Sequence, residues 1–230
     1  MSNTILILDT ATENCSAALS FQGQLFADEA EAPREHSQRI LPMVESLLSQ
    51  AGITLNDIDA IAFGRGPGSF TGIRIGTAMV QGLALGADKP VVPLSNLAAM
   101  AQGAINAGAS EVIAAIDARM DEVYFGHYRA VDGLAVLVGE EVVIRPEAIQ
   151  AQLDAIDVAT VAVGTGFETY PQLLQNPLIS INADCRLPSA AMMMPLAQFG
   201  FAKGDAVPVE AVEPVYLRNE VAWKKLPGRE

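Results

Sequence analysis

The segment Asp9-Thr10-Ala11-Thr12 places one carboxylate and two hydroxyls directly after a short apolar run. At the tip of a strand such a set could hold a hydrated magnesium ion and a terminal phosphate, with Asp9 as the metal anchor. Equally, short polar side chains of this kind often bond nothing beyond the amides of their own turn. The second candidate is the glycine-dense stretch Gly64-Arg65-Gly66-Pro67-Gly68-Ser69-Phe70-Thr71-Gly72. Amides such as those of Gly66, Gly68 and Ser69, lying ahead of a helix N-terminus, attract anions through unpaired N–H groups and the helix dipole. This is not a Walker loop, because the Gly-Lys-Ser or Gly-Lys-Thr ending is missing and Arg65 stands at the wrong end. A tight turn that lets a helix pack closely explains the glycines at least as well.

Other chemistries are excluded by counting. The chain has two histidines, His36 and His127, far apart in sequence and in no metal-binding pair, which argues against a zinc or iron hydrolase. His36 reads as a solvated residue at a helix start, and His127, in a strand with Tyr124 and Tyr128, as packing. Ser69 lacks the Gly-x-Ser-x-Gly elbow, and Cys15, entering a strand, reads as a buried and inert thiol.

The elements that must position these residues follow from periodicity. Thr4 to Leu8 is a strand, and Cys15 to Phe21 with Gln24 to Ala30 form a hairpin around Gln22-Gly23. From His36 to Ala51 apolar residues recur at helical spacing, and Gly52 supplies the stop. Ile58 to Phe63 is a strand that runs into the glycine loop, after which Ser69 caps a helix to about Leu85. That helix carries one charge, Arg74, and is apolar or small nearly all the way round, so both of its faces are expected to be buried. Gly72, Gly76, Gly82 and Gly86 mark a stripe for close backbone approach. A strand at Pro90 to Leu94 and a helix capped by Ser95 or Asn96, reaching Asn106, complete a first βββαβαβα half.

The order then restarts with strands at 111–116, 122–128 and 135–143, a helix from Pro146 and a strand at 161–163. The class is therefore α/β with two similarly ordered halves, the second shortened. Residues 1–105 form the first domain, joined by a C-terminal arm at 213–230, and residues 106–212 form the second. Between Phe167 and Ala206 the sequence reads as two proline-broken helical stretches.

Twenty-seven acidic against fourteen basic side chains leave a net charge of −13, which disfavours tight direct binding of nucleic acid. The C-terminal segment from Lys203 is neutral, so Trp223, Lys224 and Lys225 could still touch a phosphate. No stretch reaches the roughly 20 apolar residues that span a bilayer, and no export signal opens the chain. Two cysteines, Cys15 and Cys185, fit reduced thiols in the cytosol.

Three stretches together resemble the TsaB (YeaZ) family: Ile7-Leu8-Asp9-Thr10-Ala11-Thr12, Arg34 to Pro42, and Gly64 to Arg74. Ala114 to Arg119, Val163 to Gly166 and Glu213 to Asn219 with Trp223-Lys224-Lys225 are similar too, so the likeness covers essentially the whole chain. It implies an actin-like ATPase (ribonuclease H-like) fold. It further implies a non-catalytic partner required for threonylcarbamoyl transfer to the tRNA adenosine next to the anticodon. The implied partners are the catalytic paralogue TsaD and the ATPase TsaE, with tRNA reached indirectly through the complex and self-association as a homodimer in isolation. The implied setting is the cytoplasm, with no membrane.

By this resemblance the two metal histidines of the paralogue fall near Asn96 and Met100, neither of which replaces them. No cofactor of its own is expected, though ATP or ADP could sit at the complex interface. The resemblance and the apolar helices together place partner docking on Ile40, Met43, Val44, Leu47, Ile73, Arg74, Thr77 and Val80, some of which must instead face the chain's own sheet as ordinary core. Val80→Glu is then expected to break docking. The competing reading is a free-standing actin-like ATPase or kinase using Asp9, Thr10 and the glycine loop.

Overall fold

A computed structural model describes residues 3–218. The notable lysines and tryptophan of the C-terminal arm, Trp223, Lys224 and Lys225, lie outside the described residues. The chain folds as two five-stranded mixed sheets with helices between and around them. The first sheet contains β1 (Ile5–Asp9), β2 (Asn14–Phe21), β3 (Gln24–Glu31), β4 (Ala60–Gly64) and β5 (Val91–Leu94), and its order is β3-β2-β1-β4-β5. The second contains β6 (Glu111–Arg119), β7 (Glu122–Val131), β8 (Leu134–Ile144), β9 (Thr160–Val163) and β10 (Ile179–Ile181), in the order β10-β9-β6-β7-β8. Each sheet thus has a hairpin pair followed by parallel strands on the other side of its first strand, and the two halves repeat one topology.

Strand β1 is buried on both faces, and alternation divides its side chains. Leu6 and Leu8 enter a core shared with α1 (His36–Ala51) and α2 (Phe70–Ala87), while Ile5 and Ile7 pack against α6 (Ala190–Lys203). The free edge at β3 carries Asp28, Glu29 and Glu31, charges that discourage a foreign strand from adding there. Helix α3 (Asn96–Asn106) lies between the sheets, packing on β6, β7 and β8 and against α6.

Three differences from the sequence reading have physical causes. Helix α6 and the bridge at Val207, which pairs with Val91, pack on the first sheet although they follow the second in sequence. The second unit as read, 106–212, is therefore too long at its C-terminal end. The region read as two broken helices instead holds α5 (Gly166–Thr169), a 3-10 turn at Pro171–Leu174, and β10, which exists through parallel pairing with β9. Pro195 does not break α6. The shortening of the second half is concentrated in α5, which has 4 residues where its counterpart α2 has 18. Helix α4 (Pro146–Asp154) completes the second half.

Candidate functional site

At the tip of β1 the Asp9 side chain is 1% exposed. Its Oδ1 accepts from Asn96 Nδ2 at 2.8 Å and from the Ala11 amide at 3.3 Å. Asn96 Oδ1 in turn accepts from the Gly66 amide at 2.9 Å, so one amide side chain ties the strand tip, the glycine loop and the start of α3 together. Oδ2 of Asp9 is buried with no hydrogen-bond partner, and burial pushes the carboxyl from 3.8 up to about 7. Desolvation favours the protonated form of this carboxyl.

The neighbouring polar groups are also committed within the chain. Thr10 Oγ1 donates to the Gly72 carbonyl at 2.8 Å, Thr12 Oγ1 accepts from the Asn14 amide at 3.4 Å, and the Ser69 amide donates to Ala11 O at 2.7 Å. Ser69 Oγ accepts from the Gly72 amide at 3.2 Å and so caps α2 as expected. A Cβ at Gly68 or Gly72 would collide with the carbonyls of Ala11 or Thr10, and at Gly66, where φ is +111°, it would lie 2.7 Å from Val215 O. The loop glycines therefore serve close packing. The amides of Gly66, Ser69 and Gly72 are thus engaged within the chain, and Asp9 is buried. Asn96 and Met100 are both fully buried.

The histidines differ from their sequence reading. His36 is buried, not solvated, and its Nε2 donates to Thr12 O at 2.7 Å, which pins α1 to the β1–β2 turn. His127 Nε2 lies 2.9 Å from Glu111, which Arg129 also engages. Cys15 is fully buried, and burial pushes its thiol up to about 11.

The eight docking candidates separate cleanly. Ile40, Met43, Val44 and Leu47 of α1, and Val80 of α2, belong to the buried core beneath the first sheet. Ile73 and Thr77 are also buried. These seven are corrected: an apolar stripe at helical spacing is the same signal whether a helix buries it against its own sheet or a partner. Val80 is 0% exposed, so Val80→Glu would bury an unpaired carboxylate and test folding instead of docking. Arg74 alone of the eight faces outward. Its guanidinium lies 3.8 Å from the ring centroid of Phe70, and its Nε donates to Tyr216 OH at 3.0 Å.

The outer face of α2 is still apolar. Phe70 is 55% and Leu85 70% exposed, and a groove of about 410 Å³ is lined by Phe70, Thr71, Arg74, Ile75, Ala78 and Met79. Gly82 and Gly86 face open space, whereas Gly76 abuts Thr10 Oγ1 and Gly72 its carbonyl, so the four glycines do not form one stripe. Their phase could have located the outer face: a glycine that must approach β1 fixes which side of the helix looks inward, and Arg74, Ala78 and Leu85 are on the other.

Two sheets of matching topology, with α3 and α6 between them, define an actin-like, ribonuclease H-like α/β protein. The family model that matches is described as TsaD, tRNA N6-adenosine threonylcarbamoyltransferase, over residues 30–226. The tRNA threonylcarbamoyladenosine biosynthesis protein TsaB of Escherichia coli (strain K12) is 50% identical over 230 residues, covering 98% of this chain and 99% of that protein. The Haemophilus influenzae protein of the same name is 46% identical over 238 residues, covering 99% and 98%. Among solved structures, YeaZ from Pseudomonas aeruginosa superposes with a TM-score of 0.87 at 47% identity, covering 94% of this chain and 100% of that one. The chain belongs to the TsaB family of tRNA threonylcarbamoyladenosine biosynthesis proteins.

Proposed function

We propose that this protein is a non-catalytic subunit required for threonylcarbamoyl transfer to the tRNA adenosine next to the anticodon, working in the cytoplasm. It docks the catalytic paralogue TsaD through the outer face of α2, and the pair recruits the ATPase TsaE. The observation that carries this reading is that α2 keeps an apolar face, from Phe70 to Leu85, after its other face is spent on the first sheet. Exposed apolar surface of this extent marks an interaction site. The match to the transferase's own family model favours a partner built on the same fold, because such a partner presents an equivalent helix for near-symmetric pairing.

The packed glycine loop and buried Asp9 argue against catalysis by a nucleotide site in this chain alone. Any ATP or ADP would sit at the seam with the partner, and tRNA would be held by the partners, given the net charge of −13. The test is a reconstituted tRNA modification assay with this protein alone, with TsaD and TsaE, and with Ala78→Arg on the outer face. Activity is expected only with the partners present, and Ala78→Arg should abolish it. Threonylcarbamoyl transfer by this chain alone would overturn the reading.

A further inference from the structure

The segment that follows the last 3-10 turn runs from α2 to the second sheet, and specific contacts hold it along the way. Gln81 Nε2 on α2 donates to Val212 O at 3.0 Å, and the Val215 amide donates to Arg65 O at 2.8 Å. The Tyr216 ring then stacks 5.4 Å from that of Phe70, with its hydroxyl accepting from Arg74. Two residues on, Arg218 reaches the second sheet, where its Nε donates to Glu122 at 3.1 Å, its Nη2 engages the same carboxylate, and Nη2 also donates to Arg119 O at 3.3 Å.

The far anchor is a strained turn. Arg119, Met120 and Asp121, which join β6 to β7, have φ of +61°, +58° and +58°. Consecutive non-glycine residues in the left-handed region are costly and persist only where their surroundings over-determine them. Here Asp117 accepts from the Arg119 amide at 2.9 Å and pairs with its guanidinium, and Arg218 binds the carbonyl of the same residue. The near anchor, Tyr216, is 37% exposed and touches Phe70 and Arg74, two of the residues that line the groove on α2. Tyr216 and Arg218 are separated only by Leu217, where the chain bends, so their backbones lie within about 7 Å of each other.

We propose that residues 212–218 form a strap that couples the docking face to the second sheet: a partner seated on Phe70, Arg74 and Tyr216 locks Tyr216, and Arg218 relays this to the turn at Arg119–Asp121. The inference rests on the docking role proposed for α2 and adds its regulation. If the partner tightens the turn at Arg119–Asp121, linkage requires that whatever loosens that turn weakens partner binding by the same factor.

The test is hydrogen exchange on the full chain, alone and with purified TsaD, for wild type, Tyr216→Ala and Arg218→Gln, with exchange in β1 and β4 reporting that the fold is intact. Without partner, Tyr216→Ala should speed exchange at residues 119–123. With partner, exchange there should slow in wild type and not in Arg218→Gln, whose affinity should fall about threefold to tenfold. Wild-type affinity of Arg218→Gln, with exchange at 119–123 indifferent to Tyr216 and to the partner, would overturn the strap while leaving docking intact. Full affinity of Ala78→Arg would instead remove the docking face itself, and the relay with it.

Discussion

Asp9 is buried with its Oδ2 unpaired, and desolvation raises its pKa from 3.8 to about 7. Between those values the folded state binds more protons than the unfolded state, so stability falls as pH rises through the window and levels off above about pH 7. The full penalty is on the order of 4 kcal/mol, at about 1.4 kcal/mol per unit. Asn in its place keeps the Oδ1 acceptor for Asn96 and Ala11 and cannot ionise. Asp9→Asn is therefore expected to raise Tm above wild type by about 5 °C or more at pH 8, a gain that shrinks toward pH 4. Calorimetry across that range checks this, and an equal gain at every pH would show that Asp9 does not titrate there. The position of Asp9 at a strand tip was legible in the sequence. Its burial was not, because that depends on Asn96 and Gly64, which arrive from distant parts of the chain.

At the scale of elements, α2 offers a paired comparison. Gly72→Ala drives a Cβ into the Thr10 carbonyl, a backbone atom that cannot yield cheaply, and is expected to destabilise by about 2 kcal/mol. Gly82→Ala, in the same helix but facing open space, should stabilise by about 0.5 to 1 kcal/mol. Denaturant midpoints of the two variants measure both, and equal effects would contradict the phase assigned to the helix. At α3, Ser95 Oγ accepts from the amides of Leu97 and Ala98 and bonds Glu141 of β8, which Tyr128 also engages. Ser95→Ala should cost about 1 to 2 kcal/mol in the same measurement. The boundaries and caps of these helices could be read from Ser69, Gly52 and Ser95. Which face each helix turns inward could not, since seven of the eight docking candidates are buried within the chain, five of them in the core beneath the first sheet.

At the scale of the whole molecule, an apolar outer face with its partner removed should find a second copy. The purified protein is expected to form a concentration-dependent dimer by sedimentation, and Ala78→Arg to remain monomeric. A strict monomer in wild type at high concentration would count against this face. The sequence by itself determined the class: local periodicity, turn glycines and caps depend on neighbours a few residues apart, so the repeated strand and helix order was visible from it. Only the tertiary structure decided that Asp9 is sealed, that α6 belongs with the first sheet, that Ile179–Ile181 is a strand, and that Tyr216 and Arg218 span the two halves. Each of these depends on contacts between residues far apart in the chain, and burial, pairing and strain arise only once those residues meet.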